Sequence, residues 1–89
     1  MSTVRLTAAQ AVVRYLAAQR TVVDGVEAPL FAGCWAIFGH GNVAGLGEAL
    51  YQARESLPTF RAHNEQGMAL AAVAFAKAKN RRQMMACTT

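Results

Sequence analysis

A near-continuous run of apolar residues at positions 30–38, which includes Trp35 and Ile37, constrains the fold of this chain more than any other feature. Strands that are apolar on both sides are typical of parallel sheets with both faces covered, whereas strands with one wet face alternate apolar and polar residues. We therefore expect residues 30–38 to form a strand that is buried on both faces of a sheet.

Before this strand, the sequence predicts a helix. Thr7 and Gln10 have the spacing of a capping box. The apolar residues behind them recur at i, i+3 and i+4, which is the pattern of an amphipathic helix. The helix should fade before Asp24-Gly25, a dipeptide that favours a turn.

After this strand, helical and strand patterns alternate. Asn42 and Asn64 are suitable N-caps for two further helices. The predicted elements are a helix at 42–57, a strand at 59–62, a helix at 65–79 and a strand at 83–89. The whole order, helix-strand-helix-strand-helix-strand, predicts an α/β fold with a parallel sheet and right-handed crossovers. The last helix is apolar nearly all round, so we expect it to be buried on more than one side.

The composition restricts the class of protein. The chain has 89 residues, enough for one small domain, yet 54% of them are hydrophobic and 16% are charged. This apolar excess suggests surface buried against an oligomer partner or the rest of a larger protein. The net charge of +4 comes from scattered cations. The cluster at 77–82 has no interleaved aromatic residues, which disfavours nucleic acid as a partner. The longest apolar run, at 67–76, is too short to span a membrane.

The cysteines and the N-terminal residues indicate the cellular compartment in which the protein resides. Cys34 and Cys87 lie far apart in apolar strand-like runs and form no CxxC pattern, so we expect buried structural thiols and no metal site. Gln10 and Arg14 interrupt the early apolar segment, so no signal peptide is predicted. A reducing, cytoplasmic setting is expected.

Glu65 lies at the junction between the second predicted strand of the sheet and the third predicted helix. Such junctions are where α/β proteins commonly place catalytic and ligand-binding residues. A carboxylate in a first helical turn is favoured by the helix dipole by roughly 0.3–1 kcal/mol, which is a sufficient structural explanation. The alternative is a general acid–base, which requires burial in a cleft because desolvation favours the protonated carboxyl.

A glycine-rich turn at 39–44 fits G-x-G-x-x-A between a strand and a helix. In dinucleotide-binding proteins this pattern points backbone amides and a helix N-terminus at a pyrophosphate. The acid that would bind a ribose is missing at the end of the next strand, where Arg61 could instead serve a 2′-phosphate. A dinucleotide-binding oxidoreductase fragment is one alternative, and a tight turn with close packing at Gly45 and Gly47 is the other.

His40 and His63 lie at the predicted carboxyl ends of strands. Because these ends meet at one edge of a parallel sheet, both histidines could share a cleft with Glu65. A lone histidine is more often packed or solvated than catalytic. The sequence shows no convincing Ser-His-Asp or Cys-His arrangement.

Residues 31–50, 60–69 and 84–89 resemble the N-terminal, pyrimidine-binding domain of thiamin-diphosphate-dependent enzymes. The shared pattern is a Phe38-Gly39 turn after the first strand and a glutamate, Glu65, that opens a later helix. Most members place histidine directly before this glutamate, whereas here Asn64 takes that position and His63 lies one residue earlier. Within this family, the sequence most resembles members that hydrolyse a C–C bond of a cyclic dione.

The resemblance implies that Glu65 is catalytic and hydrogen-bonds a ring nitrogen of the cofactor's aminopyrimidine. It also implies that Gly39 and His40 lie at the cofactor, and that His40 and His63 contact the substrate, a small molecule. The implied cofactors are thiamin diphosphate and Mg²⁺. A separate C-terminal domain would hold the metal and the diphosphate, usually from a neighbouring subunit of a homo-oligomer with the cofactor at the interface.

The resemblance covers only the start of such an enzyme. We therefore expect residues 1–89 to be an N-terminal fragment of a pyrimidine-binding domain, lacking the diphosphate-binding domain and the rest of their own sheet. Such a fragment should be inactive alone and marginally stable or self-associating, because unpaired edges and apolar helix faces seek partners. A further alternative is a small non-enzymatic module that dimerises through its apolar faces.

Overall fold

The computed structural model of the protein describes residues 3–37 and 42–89. The helices are α1 (Ala8–Ala18), α2 (Glu48–Gln52) and α3 (Glu65–Ala78), and a π-helical segment (Val43–Gly47) precedes α2. The strands are β1 (Arg20–Val23), β2 (Val26–Pro29), β3 (Phe31–Ala36), β4 (Thr59–Arg61) and β5 (Met84–Thr88).

The main sheet is parallel, as predicted. Its three strands lie in the order β4-β3-β5, so the apolar strand β3 is central. Cys34 lies opposite Thr59 on β4 and Ala86 on β5, and Ala36 lies opposite Arg61 and Thr88. The fold is α/β, with helices packed against a parallel sheet, which confirms the predicted fold class.

The short strands β1 and β2 form an antiparallel hairpin that the sequence analysis did not predict. Its turn does lie at the predicted dipeptide. Asp24 and Gly25 both have positive φ, 52° and 80°, the backbone combination that a tight two-residue hairpin turn requires. The strands were missed because they are short and largely exposed, with no clean alternation of apolar and polar residues.

Helix α1 begins at the predicted capping box. The Thr7 hydroxyl accepts a hydrogen bond from the Gln10 amide at 3.1 Å, and the Gln10 side-chain oxygen accepts one from the Thr7 amide at 3.0 Å. Two orphan donors of the first turn are thereby satisfied, which explains why the helix starts here.

One side of the sheet, which we call the closed face, packs against α1 and α2. Its core contains Val13 of α1, Cys34 of β3, Ala49 and Leu50 of α2, and Leu57 from the loop before β4. All five residues are buried, and Leu57 is fully inaccessible. This cluster is the main hydrophobic core in the described part of the chain.

The other side of the sheet, which we call the open face, carries Gly33 and Trp35 of β3, because successive strand residues point to opposite faces. Phe60 of β4 and Met85 of β5 approach Gly33 on this side. Helix α3 packs against β5 and β3. It begins as predicted at Asn64, whose side-chain oxygen accepts a hydrogen bond from the Gly67 amide at 2.6 Å.

The expectation that α3 is buried on more than one side is wrong for this chain. Met68 is the buried residue of α3, whereas Leu70 and Val73 are more than half exposed. The physical reason is that α3 has the sheet on one side and no described segment packed over its other sides.

The second predicted helix also differs from expectation. Asn42 makes no side-chain cap, and the first turn closes as a π-turn in which the Gly47 amide donates to the Asn42 carbonyl at 2.8 Å. Only Glu48–Gln52 is α-helical. Two glycines, Gly45 and Gly47, lie in the π-helical segment, and glycine weakens regular α-helix.

Candidate functional site at the carboxyl edge of the sheet

The carboxyl ends of the three parallel strands form one level edge. Ala36, near the end of β3, lies opposite both Arg61, the last residue of β4, and Thr88, the last residue of β5. The Ile37 amide continues the pairing by donating to the Thr88 carbonyl at 3.1 Å. In open parallel sheets ligands bind outside this edge, so we take it as the candidate site.

Glu65 lies at this edge. Three residues separate the end of β4 from helix α3, and Glu65 is the first residue of that helix, in the turn where the helix dipole favours a carboxylate. The side chain is exposed, and among residues 3–37 and 42–89 its carboxylate makes no ion pair or hydrogen bond. These residues therefore present Glu65 at the edge but do not supply the burial that an acid–base role requires.

His63 lies in the connection between β4 and α3, at the same edge as Glu65, and it is exposed. The structure thus brings His63 and Glu65 to the edge that the sequence predicted for them. The other two predicted site residues, Gly39 and His40, lie outside the described residues. The glycine turn of the dinucleotide-binding alternative also falls largely outside them, so the roles of these residues stay predictions.

A cleft opens beside the edge, between the end of β3, the π-helical segment and the end of β4. Its volume is about 420 Å³, and its described lining is Ile37, Val43, Arg61 and Ala62. Arg61 supplies the charge of this lining. The sequence pattern indicated Arg61 only as a partner for a 2′-phosphate. The signal that marks it is a charged side chain at the last position of a short parallel strand.

Asn42 adds a link across the edge that sequence analysis missed. Its side-chain amide donates a hydrogen bond to the Thr89 carbonyl, directly after β5. The residue predicted as a helix cap therefore joins the start of the π-helical segment to the end of β5. No sequence signal distinguishes these two uses of an asparagine amide, because the partner is 47 residues away.

The two cysteines behave differently from each other. Cys34 is buried in the core of the closed face, where desolvation and, to a lesser extent, the nearby Cys87 raise its pKa to about 11. Its thiol is neutral at physiological pH, as expected of a structural cysteine. The expectation of burial is wrong for Cys87, which is exposed because it lies on the open face of the edge strand β5.

Among residues 3–37 and 42–89, no group of three or more His, Cys, Asp or Glu side chains lies close enough together to hold a metal ion. Within the same residues, no helix combines the length and the apolar character needed to cross a bilayer.

Comparison with known proteins finds relatives over the whole chain. The chain is 52% identical over all 89 residues to the 3D-(3,5/4)-trihydroxycyclohexane-1,2-dione hydrolase of Bacillus thuringiensis (strain Al Hakam). It is 52% identical over 87 residues, 98% of its length, to the protein of the same name from Listeria monocytogenes serotype 4b (strain F2365). In both cases it spans 14% of the relative's length. The resemblance to a cyclic-dione hydrolase is thereby confirmed.

No family model matches the chain. No solved structure matches it either.

Proposed function

We propose that this chain is part of a thiamin-diphosphate-dependent hydrolase that opens the ring of trihydroxycyclohexane-1,2-dione in myo-inositol catabolism. The observation that carries the proposal is the 52% identity over the whole chain to hydrolases named for this dione. The exposed Glu65 at the carboxyl edge of a parallel sheet supports it, because this edge is where α/β proteins bind ligands.

The residues present suit the proposed cofactor. A carboxyl group can accept a hydrogen bond when ionised and donate one when protonated, so Glu65 can share a proton with a ring nitrogen of an aminopyrimidine. Glu65 has no competing partner among the described residues. When bound, thiamin diphosphate supplies the carbanion chemistry that breaks a C–C bond.

In this proposal Glu65 is the catalytic residue. Its carboxyl oxygen holds or releases the proton at the ring nitrogen of the aminopyrimidine. The role requires a drier setting than these residues provide, since desolvation raises the pKa of a carboxyl group toward neutrality. Protein that lies outside residues 1–89 would cover Glu65 and supply that setting.

The other parts of the proposed site follow the same resemblance. Gly39 and His40 would line the cofactor, and His40 and His63 would contact the dione. Mg²⁺ and the diphosphate would be held by a further domain, and a homo-oligomer in the cytoplasm would place the cofactor at a subunit interface. The 89 residues alone are then expected to be inactive.

The direct test replaces Glu65 by Gln in a full-length protein that contains this chain. Glutamine keeps the size of the side chain but cannot exchange a proton, so kcat for ring opening should fall by about 10²–10⁴-fold, the usual contribution of an acid–base group. The matched control is Glu48→Gln, because Glu48 is also an exposed first-turn acid, at the start of α2.

Two measurements complete the test. Circular dichroism should be the same for both variants, since glutamine keeps the size and shape of the glutamate side chain. Near-normal turnover of the Glu65→Gln protein, or an equal loss in the Glu48→Gln protein, would remove Glu65 from the catalytic role. A wild-type protein that does not consume the dione when supplied with thiamin diphosphate and Mg²⁺ would refute the proposed function itself.

A further inference from the structure

Arg61 lines the cleft at the carboxyl edge without a described partner of its own. Its neighbours in the lining, Ile37, Val43 and Ala62, are apolar. Some other arginines are engaged: Arg20 pairs with Glu27 at 3.0 Å, and the Arg54 guanidinium donates to the Tyr51 carbonyl at 2.8 Å. Arg61 makes no ion pair or side-chain hydrogen bond within residues 3–37 and 42–89.

The position of Arg61 follows from the strand. Phe60 lines the groove on the open face, so the next residue, Arg61, points to the opposite side of β4, toward the π-helical segment. A guanidinium stays charged at all physiological pH values and presents a planar fork of donors that matches a carboxylate. Arg61 is exposed, and the low-dielectric apolar walls of a cleft focus the field of such a charge. The cleft is therefore suited to a carboxylate.

Hydrolysis of a cyclic 1,2-dione creates a carboxylate. Water adds across the bond between the two carbonyl carbons: one carbon takes the hydroxyl and becomes a carboxylic acid, and the other takes the hydrogen and becomes an aldehyde. No oxidant or reductant is needed, and the acid releases its proton at neutral pH. The ring substrate is uncharged, whereas the opened product, a deoxy-glucuronate, carries one negative charge.

We propose that Arg61 binds the carboxylate that ring opening creates, and so distinguishes the product from the substrate. This inference rests on the proposed function. Arg61 ends the strand that leads directly to Glu65, with three residues between them, so it belongs to the same part of the edge as the proposed catalytic group. The diphosphate of the cofactor is the other anion in the proposed reaction, and the test separates the two.

The test measures product inhibition in the full-length enzyme. Initial rates of dione ring opening are recorded with added deoxy-glucuronate for wild type, Arg61→Gln and Arg61→Lys. We expect the inhibition constant of the product to rise by about 10–100-fold in Arg61→Gln, the usual effect of losing a hydrogen-bonded charge partner. The rise should be smaller in Arg61→Lys, which keeps the charge without the fork. The KM of the neutral dione should change by much less.

A second measurement tests whether Arg61 recognises the negative charge of the carboxylate, by comparing the product with its neutral amide. Wild type should bind the amide more weakly than the acid, whereas Arg61→Gln should bind the two about equally. Arg14→Gln is the matched control, because Arg14 is an exposed arginine on α1, far along the chain from the cleft. It should keep the wild-type preference for the acid.

Three results would overturn the inference. One is an unchanged product inhibition constant in Arg61→Gln with normal turnover. Another is an equal rise in product inhibition constant and dione KM, which would indicate a general distortion of the site. The last is a weakened affinity for thiamin diphosphate but not for the product, which would assign Arg61 to the diphosphate. Absence of ring opening in wild type would instead refute the proposed function, and the inference with it.

Discussion

The two faces of one three-stranded sheet differ in how completely this chain covers them. On the closed face Val13, Leu50 and Leu57 expose at most 2% of their surface. On the open face Phe60 exposes 45%, and Leu70, on the helix that packs there, exposes 62%. Both faces are apolar, so the difference lies in the number of segments that cover them.

The closed face is covered by several segments of the chain. Helices α1 and α2 and the loop before β4 converge on Cys34, and their side chains bury one another as well as the sheet. Among the residues that the structure describes, α3 alone covers the open face. An apolar groove of about 590 Å³ remains beside that helix. It is lined by Trp35, Phe60, Ala71, Ala74, Phe75, Ala78 and Met85.

This comparison shows where the structure places the high fraction of hydrophobic residues noted in the composition. The excess is not in the main core but on exposed side chains of the open face, of α3 and of the hairpin, where Val22 and Val26 each expose 65% of their surface. The outer sides of α1 and α2 also contribute, with Tyr15 and Tyr51 exposed by 67% and 66%. The buried indole nitrogen of Trp35 also lacks a hydrogen-bond partner among the described residues. The Thr59 hydroxyl, which lies on the closed side of β4, lacks a partner among these residues as well, so the two faces differ in burial and not in hydrogen-bond satisfaction.

The largest expected contrast between the faces comes from truncating one leucine on each side. Leu57→Ala empties a fully buried site in the closed core and should destabilise the protein by about 2–5 kcal/mol. Leu70→Ala removes a side chain that is 62% exposed and should cost less than about 0.5 kcal/mol. Urea denaturation of both variants measures the difference.

Equal losses would break the comparison, because they would mean that the outer side of α3 is buried in the folded protein. That result would also support the predicted self-association. Repeating the denaturation at several protein concentrations shows whether α3 is buried within one chain or between copies. Burial between copies makes the midpoint depend on concentration.

A smaller contrast comes from adding one methyl group to a glycine. At Gly33 a Cβ atom would lie 2.8 Å from the Pro58 carbonyl oxygen and 2.8 Å from the Phe60 ring, so Gly33→Ala should cost about 1–3 kcal/mol through overpacking. At Gly45 a Cβ meets nothing within 4 Å. Gly45→Ala should therefore be neutral or stabilise by up to about 1 kcal/mol, because alanine restricts the unfolded chain.

Thermal unfolding of the two alanine variants gives the comparison directly. A neutral Gly33→Ala variant would show that the open face is loose enough for β3, β4 and β5 to shift apart. That finding would sharpen the contrast with the tightly packed closed face.

The smallest expected contrast between the two faces is in the reactivity of the Cys34 and Cys87 thiols. Cys34 lies on the closed face, where burial raises its pKa to about 11, while Cys87 is exposed on the open face. Iodoacetamide at pH 8 should therefore alkylate Cys87 much faster than Cys34, which peptide mapping by mass spectrometry would resolve. Similar rates would mean that the closed face opens readily.

The raised pKa of Cys34 also predicts a pH dependence of stability. The thiol holds its proton more tightly in the folded protein than in the unfolded chain, where its pKa is near its ordinary value of 9.0. Its contribution is therefore fully present below pH 9 and is lost as the pH rises toward 11. In Cys34→Ala, denaturation midpoints across this range should show a shallower fall than in wild type.

Local signals predicted the elements that depend on local interactions. The Thr7 capping box and the Asn64 cap are made by residues three apart, and both occur as predicted. The parallel sheet followed from the alternation of strand and helix patterns, and the central place of β3 agrees with its apolar run. The same reasoning placed Glu65 and His63 at the carboxyl edge, where the structure has them.

Predictions failed where the outcome depends on distant contacts. An apolar helix was expected to be buried on more than one side, but burial depends on what packs against it, and among the described residues α3 packs against the sheet alone. Asn42 was expected to cap a helix but instead binds the Thr89 carbonyl from across the edge. Cys87 was expected to be buried from its apolar neighbours, yet it is exposed on the open face of an edge strand.

The sequence by itself therefore determined the fold class, the caps of α1 and α3 and the edge at which Glu65 lies, because periodicity and capping act over a few residues. The tertiary structure alone decided which face of the sheet is closed, which cysteine is buried and that Arg61 lines a cleft. These features depend on free energies of burial and packing, which arise only when segments distant in sequence come into contact.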